Sequence, residues 1–285
     1  MGRADETVAG GSIKMNELLY LYGIIPKPDE ETDSFADIKG IDGEHSLTMM
    51  NFNHCAAVVC LVDEEEYGEK VLEEKTKQMD WVQEKAFHHH EALISLRERT
   101  TIIPMKFCTI FQNEESLSEM IQSREEDWER LLNELENKEE WNVKIYCDRS
   151  LLREEVAENN LTIENKKAEI AEMSKGRQYL ERKKLNQIID KEVEQEQHDF
   201  SKGYHEKWKG LAAQDSVKKV WNKDVTGKDE EMCWNSAYLL PLEHVEPFLE
   251  HVTLANEKHA SAGWKFEITG PWPAYHFVNL SKSEV

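Results

Sequence analysis

The stretch Gly263-Trp-Lys-Phe-Glu-Ile-Thr-Gly-Pro-Trp-Pro-Ala-Tyr-His-Phe-Val278 decides how the C-terminal half folds. Trp264, Phe266 and Ile268 alternate with Lys265, Glu267 and Thr269, the two-residue period of a strand that buries one face. Gly270, Pro271 and Pro273 then argue against further regular pairing, because glycine opens backbone angles other residues avoid and proline lacks a donor. Trp272, Tyr275 and Phe277 ride on the stiff segment that follows. Rigid aromatic side chains of this kind either lock a terminus onto its own core or dock a partner.

Upstream of that strand the pattern is regular. Leu242–Asn256 reads as a helix with Val245, Phe248, Leu249 and Val252 inward, and Met232–Pro241 and Ser216–Trp221 read as strands. Arg177–Leu211 is a long helix with Leu185, Ile189, Val193, Phe200, Tyr204, Trp208 and Leu211 on one stripe, and Trp141–Cys147 is a strand. The order is β-α-β-β-α-β, the split-βαβ or ferredoxin-like plan, with an acidic, highly charged helical stretch at 149–174 inserted early. That plan hosts many functions and names none.

The N-terminal half is less regular. Glu17–Pro26 is a buried strand closed by proline, and short strands follow at Ala36–Ile41, His45–Asn51 and Cys55–Val62. One or two helices over 63–98 carry Tyr67, Val71, Leu72, Met79, Val82, Ala86, Leu93 and Leu96 at helical spacing. Thr101–Phe111 reads as a strand that Pro104 confines to an edge or bulge, and Glu114–Leu135 as an amphipathic helix. The expected fold class is therefore α+β in two domains: an N-terminal α+β domain at 16–138 with a mostly antiparallel sheet, and a C-terminal ferredoxin-like domain at 139–280. Residues 1–15, small and polar, are expected to form a disordered tail.

The formal net charge of −22 over 285 residues excludes nucleic acid as a main partner, since an acidic surface repels phosphate. The same charge favours solubility. The longest apolar run, Cys55–Val62, is far short of the roughly 20 residues a membrane helix needs, so no membrane partner is expected. The first fourteen residues lack the apolar core of a signal peptide. The five cysteines are odd in number and include no Cys-x-x-Cys pair, which suits free thiols in a reducing cytoplasm.

Candidate chemistry is sparse. His88-His89-His90-Glu91 draws the eye, but successive helical residues point about 100° apart, so three adjacent histidines cannot chelate one ion from one face. Asp63–Glu66 and Arg124–Asp127 read as charge runs at helix starts, where acids favour the helix dipole. No Gly-x-Gly-x-x-Gly, P-loop or Gly-x-Ser-x-Gly occurs. No catalytic residue, cofactor or metal ligand is assigned, and the expectation is a non-enzymatic protein. The basic stretch Ser174–Lys184, with Arg177, Arg182, Lys183 and Lys184, stands out in so acidic a chain. It either pairs with the chain's own acidic helix at 153–170 or docks an acidic or polar partner surface.

Several separated stretches resemble one family. They are Tyr20-Leu-Tyr-Gly-Ile-Ile25; His89-His90-Glu91 followed by Leu93; Ile103-Pro-Met-Lys-Phe-Cys-Thr-Ile-Phe111, similar to "LPLRFGTVF"; Trp141-Asn-Val-Lys-Ile-Tyr146; Gly176-Arg-Gln-Tyr-Leu-Glu-Arg182, similar to "GRAYLERR"; Asn235-Ser-Ala-Tyr-Leu239; and Thr269–Val278. In this order they resemble the gas vesicle GvpL/GvpF family, over almost all of residues 17–278. The departures are modest: Cys108 stands where the family usually has Gly, which questions close backbone approach there, and Lys106 replaces Arg.

The resemblance implies a two-domain α+β accessory protein, cytoplasmic and gas vesicle associated. It implies binding to the small hydrophobic shell protein GvpA and to other accessory Gvp proteins. Such a protein would prevent aggregation and support nucleation and assembly; the alternative is a structural minor component of the vesicle wall. A shell subunit exposes apolar surface before assembly, and such surface aggregates unless shielded. The expected interface residues are Pro104, Phe107 and Phe111 at the proline-bearing edge, Arg177, Tyr179 and Arg182 in the basic stretch, and Trp272 and Tyr275 near the C-terminus. For Trp272 the competing role is sealing the contact between the two domains.

Overall fold

A computed structural model describes residues 16–29 and 34–278. The expected tail at 1–15, part of the acidic loop at 27–34, and residues 279–285 lie outside the described residues. The chain forms two compact units that divide between Glu136 and Asn137.

The first unit is built on β1 (Glu17–Pro26), β2 (Thr48–Asn51) and β3 (Cys55–Asp63), followed by helices α1 (Glu64–Tyr67), α2 (Glu69–Lys75) and α3 (Met79–Arg97). Short strands β4 (Ile103–Pro104) and β5 (Ile110–Phe111) precede α4 (Glu114–Gln122) and α5 (Glu125–Leu135). The sheet order is β2-β3-β1-β4, with β5 also on β1, and every pairing is antiparallel. β1 is central and meets both α3 and α5, which explains its unbroken apolar run: Leu18 to Ile25 are all buried. Tyr20, Tyr22, Val58 and Val62 pack with Leu93 and Leu96 of α3.

Several expected elements are shorter. Ala36–Ile41 is a turn region with a single bridge, Lys39 to Ser46, because Asp42 and Gly43 bend the chain and the Asp42 carboxylate accepts the Glu44 and His45 amides. The helical stretch 63–98 is three helices, broken at Gly68 and at Thr76–Gln78. Met79 faces solvent at 75% exposure, and buried His89 takes a place on the inner stripe instead. Thr101–Phe111 pairs only at its two ends. Glu114–Leu135 breaks at Ser123–Arg124 into α4 and α5.

The second unit runs β6 (Lys138–Cys147), α6 (Arg149–Asn159), α7 (Leu161–Ala171), α8 (Lys175–Lys209), β7 (Gln214–Val217), α9 (Lys223–Thr226), β8 (Glu231–Pro241), α10 (Leu242–His259) and β9 (Trp264–Trp272). Its sheet, ordered β7-β8-β6-β9, is wholly antiparallel. Counting only β6, β7, β8 and β9 with α8 and α10, this arrangement is compatible with the ferredoxin-like plan. The acidic insertion is two helices, α6 and α7, joined at Asn160, whose side chain caps α7. Both lie along α8.

Val143 and Ile145 of β6 point into a core with Leu185, Ile189, Val193 and Trp208 of α8 and Phe248 and Val252 of α10. Phe200 stacks on Trp264 with ring centroids 3.8 Å apart. The expected strand Ser216–Trp221 is displaced to Gln214–Val217, and Trp221 is left 46% exposed. β9, by contrast, outlasts its expected end: after a register shift past Asn142, Trp272 pairs with Glu140. Gly270 makes this bulge feasible. Its φ is +143°, and a Cβ there would come within 2.9 Å of the Glu140 carbonyl oxygen.

Candidate functional site

The proline-bearing edge is a folded hook. β4 and β5 both pair with β1, and between them the chain turns through Cys108 at φ +63°, the left-handed region that favours glycine. The Cys108 amide donates to the Tyr20 hydroxyl at 3.1 Å. That hydroxyl lies 2.9 Å from Nδ1 of His89, whose Nε2 lies 3.3 Å from the Met105 carbonyl oxygen. A carbonyl can only accept, so Nε2 carries the proton and Nδ1 accepts from Tyr20. Burial pushes the His89 pKa down to about 4 and agrees with a neutral ring.

The three adjacent histidines thus part ways. His88 reaches the Gly40 carbonyl at 2.8 Å, His89 enters the core, and burial also lowers the pKa of His90. Among the described residues, no three His, Cys, Asp or Glu side chains converge as a metal site.

The hook conceals much of the expected edge. Pro104 is buried, and Phe107 and Phe111 are half-buried. Phe107 sits edge-on to His89 and tilts against Trp81.

The C-terminal segment is held by a residue that the sequence did not single out. The Glu140 carboxylate, fully buried, accepts the His276 backbone amide at 2.9 Å and lies 2.6 Å from Nδ1 of the same residue. Ala274 and Phe277 are buried, and the Trp272 indole donates to Thr269 Oγ1 at 3.2 Å. Tyr275 stays 40% exposed. Trp272 therefore contributes to the packing of its own unit, with Tyr275 the more open of the pair.

Arg177, Tyr179 and Arg182 lie on the first turns of α8, ahead of Leu185, its first buried residue. Tyr179 is 74% and Leu180 59% exposed. The acidic helices do not neutralise these arginines. Arg153 of α6 bonds Asp190 and Asn186 farther along α8, and Lys184 bonds Glu181. No ion pair engages Arg177, Arg182 or Lys183 among the described residues. Trp272 lines the opposite face of the sheet, beside Asn142 and Lys144, so the α8 group and the Trp272 group are not one site. A second buried polar cluster, His205 with Tyr238 at 2.7 Å and Asp215 at 3.3 Å, also escaped sequence reasoning. The only trace in the sequence is a polar residue repeating every fourth position along α8, at Gln197, Ser201 and His205.

Comparison with known proteins gives a consistent result. The family model for gas vesicle synthesis protein GvpL/GvpF matches residues 18–279. Gas vesicle protein L of a Streptomyces species is 23% identical over 271 residues, covering 95% of this chain and 96% of that protein. Gas vesicle protein F1 of Halobacterium salinarum is 22% identical, covering 93% of this chain and 95% of that protein. The crystal structure of GvpF from Anabaena sp. PCC7120 superposes with a TM-score of 0.72 at 18% identity, covering 93% of this chain and 99% of that one. GvpF from Microcystis aeruginosa gives 0.65 at 19% identity, covering 92% and 99%. The last two likenesses concern the fold. With the family model spanning nearly the whole chain, and with the hook, the β6 strand and the C-terminal segment built from the stretches that resemble it, this protein belongs to the GvpL/GvpF family of gas vesicle proteins.

Proposed function

We propose that this protein is a non-enzymatic accessory factor of gas vesicle assembly in the cytoplasm. It binds the hydrophobic shell protein GvpA and other Gvp proteins and keeps apolar surface covered until subunits join the vesicle. The observation that carries this reading is the exposed N-terminal stretch of α8, ahead of its first buried residue Leu185. There Tyr179 and Leu180 are exposed in the same turns as Arg177, Arg182 and Lys183, none of which forms an ion pair within 4 Å among the described residues, in a chain of net charge −22. An aromatic–aliphatic pair with flanking arginines suits a protein interface. The surrounding acidity would keep a complex with a sticky partner in solution.

Co-expression with GvpA, followed by pull-down and a solubility assay of GvpA, tests the proposal. Soluble GvpA that co-elutes in a defined complex is the expected result. Aggregation of GvpA with nothing co-eluting would sink direct shielding. Retention of this protein on purified vesicles through urea washes would instead favour a minor wall component.

A further inference from the structure

The face of the C-terminal sheet that points away from α8 and α10 carries a polar cleft of about 330 Å³. Asn142 and Lys144 reach it from β6, in alternation with the core residues Val143 and Ile145. Lys218 and Lys219 follow β7, Asn235 comes from β8, and Trp221 and Trp272 contribute to its walls.

Two features of the cleft are unfinished. The first is a half-buried cation, Lys218, that among the described carboxylates feels only the charge of the buried Glu140, whose hydrogen bonds go to His276. Lys218 is half-buried, and its ammonium donates to the neutral Asn142 Oδ1 at 2.8 Å. No carboxylate comes within ion-pair reach of Lys218 or Lys219 among the described residues. Burial holds the Lys218 pKa below the ordinary lysine range. Lys144 sits over the Trp221 ring at 5.6 Å, and its carboxylate contact, Glu267, is a loose 3.7 Å away. Positive charge concentrated in one cleft of so acidic a protein calls for an anion.

The second is an unfilled acceptor. Asn235 is 2% exposed, and its Nδ2 donates to the Lys219 carbonyl at 2.9 Å, which fixes the amide orientation. Its Oδ1 is then buried with no hydrogen-bond partner among the described residues. A buried acceptor left unmade carries a desolvation penalty, which a ligand that donates to it recovers.

We propose that this cleft binds an acidic side chain of a partner polypeptide. The Asp or Glu carboxylate lies against Lys218 and Lys219, a neighbouring backbone amide donates to Asn235 Oδ1, and an adjoining aliphatic residue packs on Trp221 and Trp272. A single peptide segment supplies anion, donor and apolar flank together, and the cleft has the volume of a few side chains. The inference rests on the reading of the protein as a partner-binding factor and specifies what a partner carries. It concerns the sheet face opposite Tyr179, so the shell-protein test and the cleft test can fail separately.

The experiment uses the full chain labelled with 5-fluorotryptophan, with the Trp221 and Trp272 signals assigned by Trp→Phe variants. Fluorine NMR follows titration with the blocked tripeptide acetyl-Val-Asp-Val-amide, its Asn counterpart, and inorganic phosphate. The Asp peptide should shift both signals at millimolar concentration and the Asn peptide should bind at least tenfold more weakly, the loss expected for one charge-assisted bond. Lys218→Gln should weaken the Asp peptide about tenfold. The exposed Lys219→Gln, which leaves the packing untouched, should weaken it about threefold. Equal binding of the two peptides, no shift at about 10 mM, or unchanged affinity in both variants overturns the proposal. Phosphate binding without peptide binding also overturns it, by making the cleft a small-anion site.

Discussion

The hydroxyl of Tyr20 and Nδ1 of His89 are 2.9 Å apart although 69 residues separate them in the chain. Together with the Cys108 amide and the Met105 carbonyl they form one chain of hydrogen bonds with a single consistent proton order. The central strand, the longest helix of the first unit and the hook are thereby joined at one buried point. Removing the Tyr20 hydroxyl leaves a donor at Cys108 and an acceptor at His89 without their partner. We predict that Tyr20→Phe loses about 2–3 kcal/mol of stability, measured by urea unfolding. A loss within about 0.5 kcal/mol would mean that water or a shifted hook replaces the hydroxyl.

The same histidine makes stability depend on pH. Its folded pKa, about 4, lies below the ordinary 6.5, so between these values the unfolded chain binds the proton and the folded chain does not. Stability therefore rises with pH from about 4 to 6.5 and is flat in this contribution above that range. The full difference amounts to about 3 kcal/mol. The chain holds eleven histidines, so the quantity to measure is the difference in pH dependence between the native chain and His89→Gln. The variant should show the shallower slope; parallel curves would contradict a buried neutral ring.

Cys108 lies at φ +63°, where a side chain is strained by about 1–2 kcal/mol and glycine is not. Glycine returns part of that gain through the freedom of the unfolded chain. Cys108→Gly should thus raise stability by about 0.5–1 kcal/mol, read as a higher denaturant midpoint with an unchanged slope. A lower midpoint would show that the cysteine's packing outweighs the backbone strain.

These examples show where sequence reasoning succeeds and stops. The alternation of Trp264, Phe266 and Ile268 and the stripe Leu185–Ile189–Val193 give strand and helix because burial of one face imposes their period. The Thr101–Phe111 segment has the composition of a strand, yet its middle is spent on the Cys108 turn, a local geometry that apolar patterning does not encode. Buried polar anchors were the least legible. Glu140 sits among charged neighbours, and nothing in Lys138-Glu-Glu-Trp141 says that one carboxylate turns inward to hold a residue 136 positions away. The cleft residues Asn142, Lys218 and Asn235 are likewise brought together only by strand order.

That inward carboxylate carries its own prediction. Glu140 is fully buried and holds both the amide and the ring of His276, so Glu140→Ala strands two donors and releases the segment beyond Trp272. Breaking one side of a buried, charge-assisted arrangement costs about 3 kcal/mol or more. Hydrogen exchange at residues 274–277 should quicken more than exchange in the β6–β8 ladder, because the segment hangs on this carboxylate while the ladder has its own bonds. Uniformly faster exchange would mean that the segment and the sheet open as one unit.

The last prediction concerns the exposed N-terminal turns of α8. Tyr179 and Leu180 are solvent-exposed, and Arg177 and Arg182 lie in exposed first turns of the helix, so replacing them removes little packing. Tyr179→Ser with Leu180→Ser should change folding stability by no more than about 0.5 kcal/mol per site. If this stretch meets the shell protein, the same pair should reduce GvpA co-elution at least tenfold, since an aromatic anchor at an interface is worth about 2 kcal/mol. Arg177→Glu with Arg182→Glu should weaken capture further at low salt than at high salt, because exposed charges act within a screening length. Undiminished capture by both double variants would move the interface elsewhere on the protein, with Tyr275 next to be replaced.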